Sequence, residues 1–320
     1  MTLGLLVFAA ALGAAALPVE RIWEDPGPVE SMDFSMPAAG LQKNGPQPPF
    51  HFVREEMGGT SPKVIVKDAA GVLWRVKGGL ETRPEAFVTR LVAAMGYYTE
   101  PTHFVAHGRI DGVQGELRRA SGFLKSDGSI SYVTYEHVDP NTEFVKNKSW
   151  TWESNPFTGT NELAGLKILM MLVSNWDNKD SRDKRLGSNT AVVSKTVGNV
   201  TKHYYTVTDW GQTLGSWSRW WHIFGGRQPW NCEAFSRQTL VTARSGRIVR
   251  FGFEGQHTDD FRSGITVDNV RWLLGRLGKV TDEQLRAGLR ASGASTSEQD
   301  CFTRALRTRI EQLQNVSQAQ

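Results

Sequence analysis

The chain has only two cysteines, Cys232 and Cys301, and no C-x-x-C pair in its 320 residues. That excludes a zinc knuckle or a thioredoxin-like redox motif and leaves open whether the two thiols join. No apolar run is long enough to cross a membrane. Leu3 to Leu17 carries no charge but is 15 residues long, where a span needs roughly 20. The net charge is only +4, and the one dense basic cluster, Arg182-Asp183-Lys184-Arg185, is interrupted by an aspartate. Nucleic-acid binding needs basic residues clustered on one face, so no nucleic-acid partner is expected. No Gly-Lys-Ser/Thr follows a glycine pair, which excludes a Walker loop, and the spacing of Asp177, Asp180 and Asp183 does not fit an EF-hand. There is no internal repeat.

What is present reads as an ordinary globular protein, 39% hydrophobic and 22% charged, long enough for one large domain or two lobes. Residues 1–17 read as a secretory signal peptide, with Ala14-Ala15-Ala16 as the cleavage region before Pro18. No Lys or Arg follows Met1, and the alternative is a buried N-terminal helix. The expected location is therefore exported, periplasmic or secreted, and otherwise cytoplasmic, with no stable membrane span.

Residues 18–49, rich in Pro, Gly and small polar residues, read as an irregular extension. Phe50 to Glu56, Lys63 to Lys67 and Val72 to Lys77 read as an antiparallel meander. Its first connection is the small-residue loop Gly58-Gly59-Thr60-Ser61-Pro62. Thr82-Arg83-Pro84-Glu85 fits a capping box, with Phe87, Leu91, Ala94 and Met95 as the apolar face of a helix that Gly96 stops. Further strands are expected at His103–Ala106, Glu116–Ala120 and Ser131–Tyr135, giving a twisted sheet with one helix. Residues 137–161 read as linker. Glu162 to Ser174 is apolar nearly all round, so its helix is expected in the middle of a lobe.

Thr190–Val193 and His203–Thr208, around Gly198-Asn199, read as a hairpin. A turn centred near Asn199 sets Asn189 opposite Asp209. Tryptophans 210, 217, 220, 221 and 230 crowd the segment that follows and read as core and inter-lobe packing. Helices are expected at Val267–Leu277, from the cap Thr281 to Gly293, and at Ser297–Leu313, with frayed residues beyond. The fold class is α+β in two lobes: 50–140 rich in β, and 141–320 mostly helical around the hairpin.

The chemistry gathers at the junction. Lys77 ends a strand and can hold nucleotide phosphates, with Glu85 fixing its ammonium. Gly58, Gly59, Thr60 and Ser61 form a loop whose backbone N–H groups can approach phosphate oxygens. Asp177 can take a proton from an attacking hydroxyl, and Lys179 can neutralise the transferring phosphoryl group. Asn189 and Asp209 offer oxygens to Mg²⁺.

The order Gly-loop, Val76-Lys77, Glu85, Asp177-x-Lys179, Asn189, Asp209-x-Gly211 resembles the protein-kinase-like superfamily. It is closer to the atypical HipA-type and phosphatidylinositol-kinase-like groups and the secreted kinases of the Golgi type. The phrases GGTSPKVIVKD, WRVKGG, NPFTGTNELAGLKILMMLVSNWDNKD, GSNTAVV and TDWGQTLG resemble a bacterial family with that layout. The resemblance implies a two-lobed kinase-like fold using ATP and Mg²⁺, with Lys77 and Glu85 on the phosphates, Asp177 as base, and Asn189 and Asp209 as metal ligands. Two departures stand out. The usual aspartate-to-asparagine spacing falls on Arg182, so Asn189 matches only across an insertion of 181–187. Asn175-Trp176-Asp177 also replaces the commoner His-Arg-Asp. The implied function is phosphoryl transfer to a hydroxyl of a protein, lipid or sugar. A silent kinase-fold binding module and an exported carbohydrate-binding or structural protein are the alternatives.

Overall fold

Three strands, β2 (Phe50–Glu56), β3 (Lys63–Lys67) and β4 (Leu73–Gly78), form the expected antiparallel meander. They follow β1 (Val19–Arg21), treated below. The computed structural model describes residues 17–40, 44–58, 61–183, 185–217, 226 and 228–318. Residues 1–16, Gly59, Thr60, Trp220 and Trp221 therefore lie outside the described residues, and with them nearly all of the expected signal segment.

The meander does not end in an open sheet. β5 (Thr102–Asp111) and β6 (Ser129–His137) complete a barrel in the order β2-β3-β4-β6-β5. It closes where Phe50 and His51 pair in parallel with Ile110 and Asp111. β5 is ten residues long, enough to serve β6 along one stretch and β2 at its far end. Phe50, Val64, Val66, Trp74, Val76, Ile110, Val133 and Tyr135 pack together as its core. The strand period of two turns Arg75 and Lys77 to the other face from Trp74 and Val76. Glu116–Ala120 is not a strand; its backbone N–H groups at Arg118, Arg119 and Ala120 donate instead to the Glu55 carboxylate.

The helix α1 (Thr82–Ala94) is buried on nearly every side. The expected capping box is absent. Thr82 Oγ1 donates to the Gly79 and Tyr132 carbonyls, and Glu85 turns to Lys77. Gly96 ends the helix at φ +93°, where a Cβ would lie 2.3 Å from Trp23 Nε1 and 2.5 Å from the Glu24 carbonyl.

That contact shows that residues 18–49 are not a loose extension. β1 pairs in parallel with a strand of the later hairpin, and Ile22, Val29, Met32 and Phe34 enter the larger apolar cluster. The same cluster holds the apolar face of α1. It also takes in α2 (Asn161–Leu172), capped by Thr160, and the hairpin strands β8 (Thr190–Val197) and β9 (Val200–Val207). A short β7 (Thr142–Phe144) from the expected linker adds to β8, giving the sheet order β1-β9-β8-β7.

Beyond the hairpin come α3 (Cys232–Ser236), the hairpin β10 (Val241–Ser245) and β11 (Ile248–Phe251), and α4 (Thr258–Arg262), none of which the periodicity announced. Then α5 (Val267–Leu277), α6 (Asp282–Ala291) and α7 (Thr296–Gln318) follow close to expectation. The last helix is not frayed past Leu313: Val316 and Ser317 are buried, and Arg271 donates to the Ser317 carbonyl at 2.7 Å. Cys232 and Cys301 are bonded, tying α3 to α7. Among the described residues no helix is long and apolar enough to cross a membrane.

Candidate active site

The face of β4 that turns away from the barrel core carries Arg75 and Lys77. Antiparallel pairing sets Glu136 of β6 directly opposite Arg75. Lys77 Nζ lies 2.6 Å from Glu136 Oε1 and 3.1 Å from Glu85 Oε1. The ammonium is thus shared by two carboxylates, and the nearer one was not expected. Burial opposes its charge, but Glu136 and Glu85 outweigh that and hold Lys77 well above the ordinary lysine value. Burial also works against the charge of Glu136, where Lys77 and Arg75 prevail and keep it below the usual range. For Glu85 burial wins over Lys77, with Glu136 and Asp209 adding to it, and its carboxyl is pushed up to about 8. The neighbouring cations thus favour the charged form of Glu136, while burial favours the protonated form of Glu85.

Across from this group, α2 leads into the loop Asn175-Trp176-Asp177. Asn175 is fully buried and ties two loops together. Its Nδ2 donates to the Asp209 carbonyl at 3.0 Å, and its Oδ1 accepts from the Asp177 N–H at 3.2 Å. Asn189 makes a second tie, with Nδ2 donating to the Asp177 carbonyl at 2.6 Å. That use of the amide nitrogen leaves Oδ1 as the atom it can offer to a cation. The carboxylate of Asp177 is held on both oxygens, with Lys179 Nζ 3.2 Å from Oδ2 and Gln256 Nε2 donating to Oδ1 at 2.7 Å.

The hairpin register differs by one residue from the expected one. Thr190 pairs with Val207, so Asn189 stands opposite Thr208, whose N–H donates to the Asn189 carbonyl at 2.9 Å. Asp209 comes one residue later, in the turn, where its Oδ1 accepts from the Gly211 N–H at 2.9 Å. Both residues still line the same hollow. Burial pushes the Asp209 carboxyl up, with Asp177 adding to the effect, against the Gly211 N–H, Lys77 and Lys179.

The hollow measures about 450 Å³. Lys77, Glu85, Ser61, Lys179, Asn189 and Asp209 line it, and Asp177 adjoins it through Lys179. Gly58 is exposed and is not part of its wall; Gly59 and Thr60 lie outside the described residues.

Four acidic or amide residues escaped the sequence reading: Glu81, Glu100, Glu136 and Gln256. Glu81 sits on the turn into α1, with its Cβ 2.5 Å from where a Cβ on Gly211 would fall. Its carboxylate accepts from Gln212 Nε2, so the turn before α1 is latched to Asp209-Trp210-Gly211. Burial and then Asp209 push its carboxyl up. A usable signal existed here, since Glu81 lies four residues after Lys77 and four before Glu85. Glu100 lines the same wall, pushed up by burial and by Glu136. No pattern in the sequence marks Glu136 or Gln256.

The molecule defined by these observations is a mixed α+β protein in which a closed barrel with α1 on one side, and the β8–β9 hairpin with its flanking loops on the other, border a charged hollow. No protein-family model matches the chain, and no curated protein matches it. Among solved structures it is similar to a Golgi casein kinase with Mn and ADP bound, at 11% identity and a TM-score of 0.41, over 84% of this chain and 73% of that one. A second structure of a Golgi casein kinase gives 10% identity and a TM-score of 0.41, over 85% and 74%. At that TM-score the likeness fixes neither fold nor chemistry.

Proposed function

We propose that the chain is a two-lobed, kinase-like phosphotransferase that moves the γ-phosphoryl group of ATP to a hydroxyl. The supporting observation is the convergence on one hollow of Lys77, clamped by Glu136 and Glu85, with Lys179, Asn189 and Asp209 from the opposite wall. On this reading residues 50–140 form the smaller lobe and 141–320 the larger. Lys77 holds nucleotide phosphates, with Ser61 at the edge of the hollow, and Gly58, Gly59 and Thr60 are assigned to the same loop. Asp177 accepts the proton of the attacking hydroxyl. Lys179 offsets charge on the transferring group and keeps the Asp177 carboxylate turned toward it.

The residues fit a hard divalent cation. Asn189 and Asp209 supply oxygen donors, and Asp209 carries a carboxyl that burial makes reluctant to ionise without positive charge nearby. We assign them to Mg²⁺, with Glu81 at the same mouth. Bound there, such an ion would supply neutralising charge for phosphate oxygens. Asn175 and Asn189 keep the two loops in register, so base and metal ligands hold their spacing without substrate.

We also place the protein outside the reducing cytosol. The bonded pair Cys232–Cys301 suits an oxidising compartment, in keeping with an N-terminal export signal.

Thermal shift with ATP, with and without Mg²⁺, and incorporation of labelled γ-phosphate test the proposal. Wild type is expected to be stabilised by nucleotide and to transfer label. Asp177→Ala and Asp209→Ala are expected to lose transfer by roughly 10²-fold or more. Stabilisation without transfer returns the silent-module reading. No stabilisation at millimolar nucleotide removes both kinase-fold readings.

A further inference from the structure

A second hollow, of about 740 Å³, opens beside the catalytic loop, lined by Gln256, His257, Trp217, Arg182, Glu254 and Asp259 among others. Between its wall and that of the first hollow lies Asp177. Oδ2 of that carboxylate meets Lys179, which lines the first hollow, and Oδ1 meets Gln256, which lines the second. Asp177 is itself buried and lines neither hollow, but each of its carboxylate oxygens contacts a residue of one wall. Gln256 is fixed for this role by its backbone, whose N–H donates to the Trp176 carbonyl at 3.1 Å and to Asn178 Oδ1 at 2.8 Å. Its contact to Asp177 is a neutral amide hydrogen bond, which an incoming hydroxyl can replace in kind.

The walls of the second chamber are anionic. Arg182 is already committed to Asp180, Asp260 and Glu153. Arg262 donates to the Phe253 carbonyl at 2.5 Å. Glu254 and Asp259 are exposed and form no ion pair among the described residues. Asp180 and Asp183 stand directly behind, around His257. Carboxylates thus outnumber guanidiniums, and Trp217 adds a ring face of the kind that attracts cations.

We propose that this chamber is the acceptor site, and that it takes a hydroxyl carried beside an ammonium or guanidinium group. The inference rests on the phosphotransferase reading above. In the step it implies, the acceptor O–H bond breaks and its proton passes to the Asp177 carboxylate. The acceptor oxygen bonds to the γ-phosphorus of the nucleoside triphosphate. The bond from that phosphorus to the β–γ bridging oxygen breaks with its electron pair, leaving the nucleoside diphosphate. Gln256 is a positioning residue, and Glu254 and Asp259 select the acceptor by charge.

Two sources share this chemistry: a serine or threonine in a basic polypeptide, and an aminosugar. The test uses the full chain with labelled ATP, Mg²⁺ and four probes: a serine peptide flanked by arginines, the same peptide flanked by glutamates, glucosamine and glucose. In each pair the cationic probe is expected to be phosphorylated with a kcat/KM about 10-fold or more above its partner at low salt, a gap that narrows as salt is added. The double variant Glu254→Lys/Asp259→Lys is expected to cancel or reverse the preference. The faster of the two cationic probes identifies the source. A preference for the acidic or neutral probes, or one that survives the double variant, overturns the proposal. Wild-type nucleotide stabilisation and γ-phosphate release to water separate the two levels. If γ-phosphate release is seen without a cationic preference, only the acceptor assignment fails; stabilisation with neither release nor transfer returns the silent-module reading and takes the acceptor site with it. If both are absent, the phosphotransferase reading fails and the acceptor site with it.

Discussion

Lys77 shows how much the neighbours of one side chain decide. The sequence offers it Glu85 as a partner, but the tighter contact is Glu136 at 2.6 Å. A single lysine cannot keep two buried carboxylates ionised, so the proton stays on the one with less compensation, and Glu85 is raised to about 8. The sign of the consequence follows. Between the unfolded value near 4.5 and about 8 the folded chain binds more protons at Glu85 than the unfolded chain does. Its contribution to stability is therefore full below the unfolded value and is lost as pH rises through 8. Denaturant unfolding at pH 5, 6.5 and 8 is expected to show stability falling more steeply in wild type than in Glu85→Gln. Parallel pH profiles for the two proteins would exclude the assignment. Glu136→Gln is the contrasting change, since it removes the ionised partner of a buried cation. It is expected to cost about 3 kcal/mol at neutral pH, and nucleotide stabilisation should shrink with it. Glu136 was illegible because a glutamate in SISYVTYEH looks like any outward strand residue. Only its register against Arg75 turns it to the site.

At the scale of elements, what the sequence reveals is what short-range periodicity controls. β3 falls on a short apolar run between turn residues and α5 on the i, i+3, i+4 pattern, and α2 is buried because its apolar residues leave no polar face. The misses are long-range. Barrel closure depends on a parallel contact between Phe50 and Ile110, sixty positions apart, which no local pattern encodes. The hairpin register differs by one because Val197 pairs with Val200, which centres the turn between Gly198 and Asn199 instead of on Asn199. Thr82-x-x-Glu85 matches a capping box, yet the lysine on the neighbouring strand offers the glutamate a stronger partner. The end of α2, which leads into the Asn175-Trp176-Asp177 loop, relies on a distant residue as well. Arg309 of α7 is buried, donates to the Leu172 carbonyl at 2.7 Å and Ser174 Oγ at 2.9 Å, and lies over the Phe235 ring. It supplies hydrogen bonds at a helix end whose carbonyls have no helical donors. Arg309→Met leaves those acceptors unpaired and is expected to cost about 3 kcal/mol, read by denaturant unfolding, together with a drop in γ-phosphate transfer. Arg309→Lys should recover part of both. A Met variant with wild-type stability would show that the α2 end does not depend on this contact.

For the molecule as a whole, the parts that read least clearly in the sequence are those that bind the body together. Residues 18–49 look like an irregular extension, since proline and glycine break every period. Even so, they add β1 to the hairpin sheet and place Val29 and Phe34 in the larger core. The disulfide belongs at this scale too. Two cysteines 69 positions apart carry no pairing signal, because pairing requires α3 and α7 to meet, as they do where Phe235 and Trp230 pack against Phe302 and Arg309 lies over Phe235. Once formed, the bond closes a loop containing β10, β11 and α4 to α6. In the chain-entropy account a loop of that length stabilises the folded state by about 4 kcal/mol. Cys232→Ser/Cys301→Ser is therefore expected to unfold at a lower temperature than wild type in the absence of reductant. Wild type treated with dithiothreitol should fall toward the double variant, while the variant itself should not respond. That last comparison separates the cross-link from any packing lost with the sulfurs, which would lower both proteins regardless of reductant. If wild type keeps its melting temperature under conditions that free both thiols, the disulfide is not what holds α3 against α7, and the case for an oxidising compartment loses its structural support.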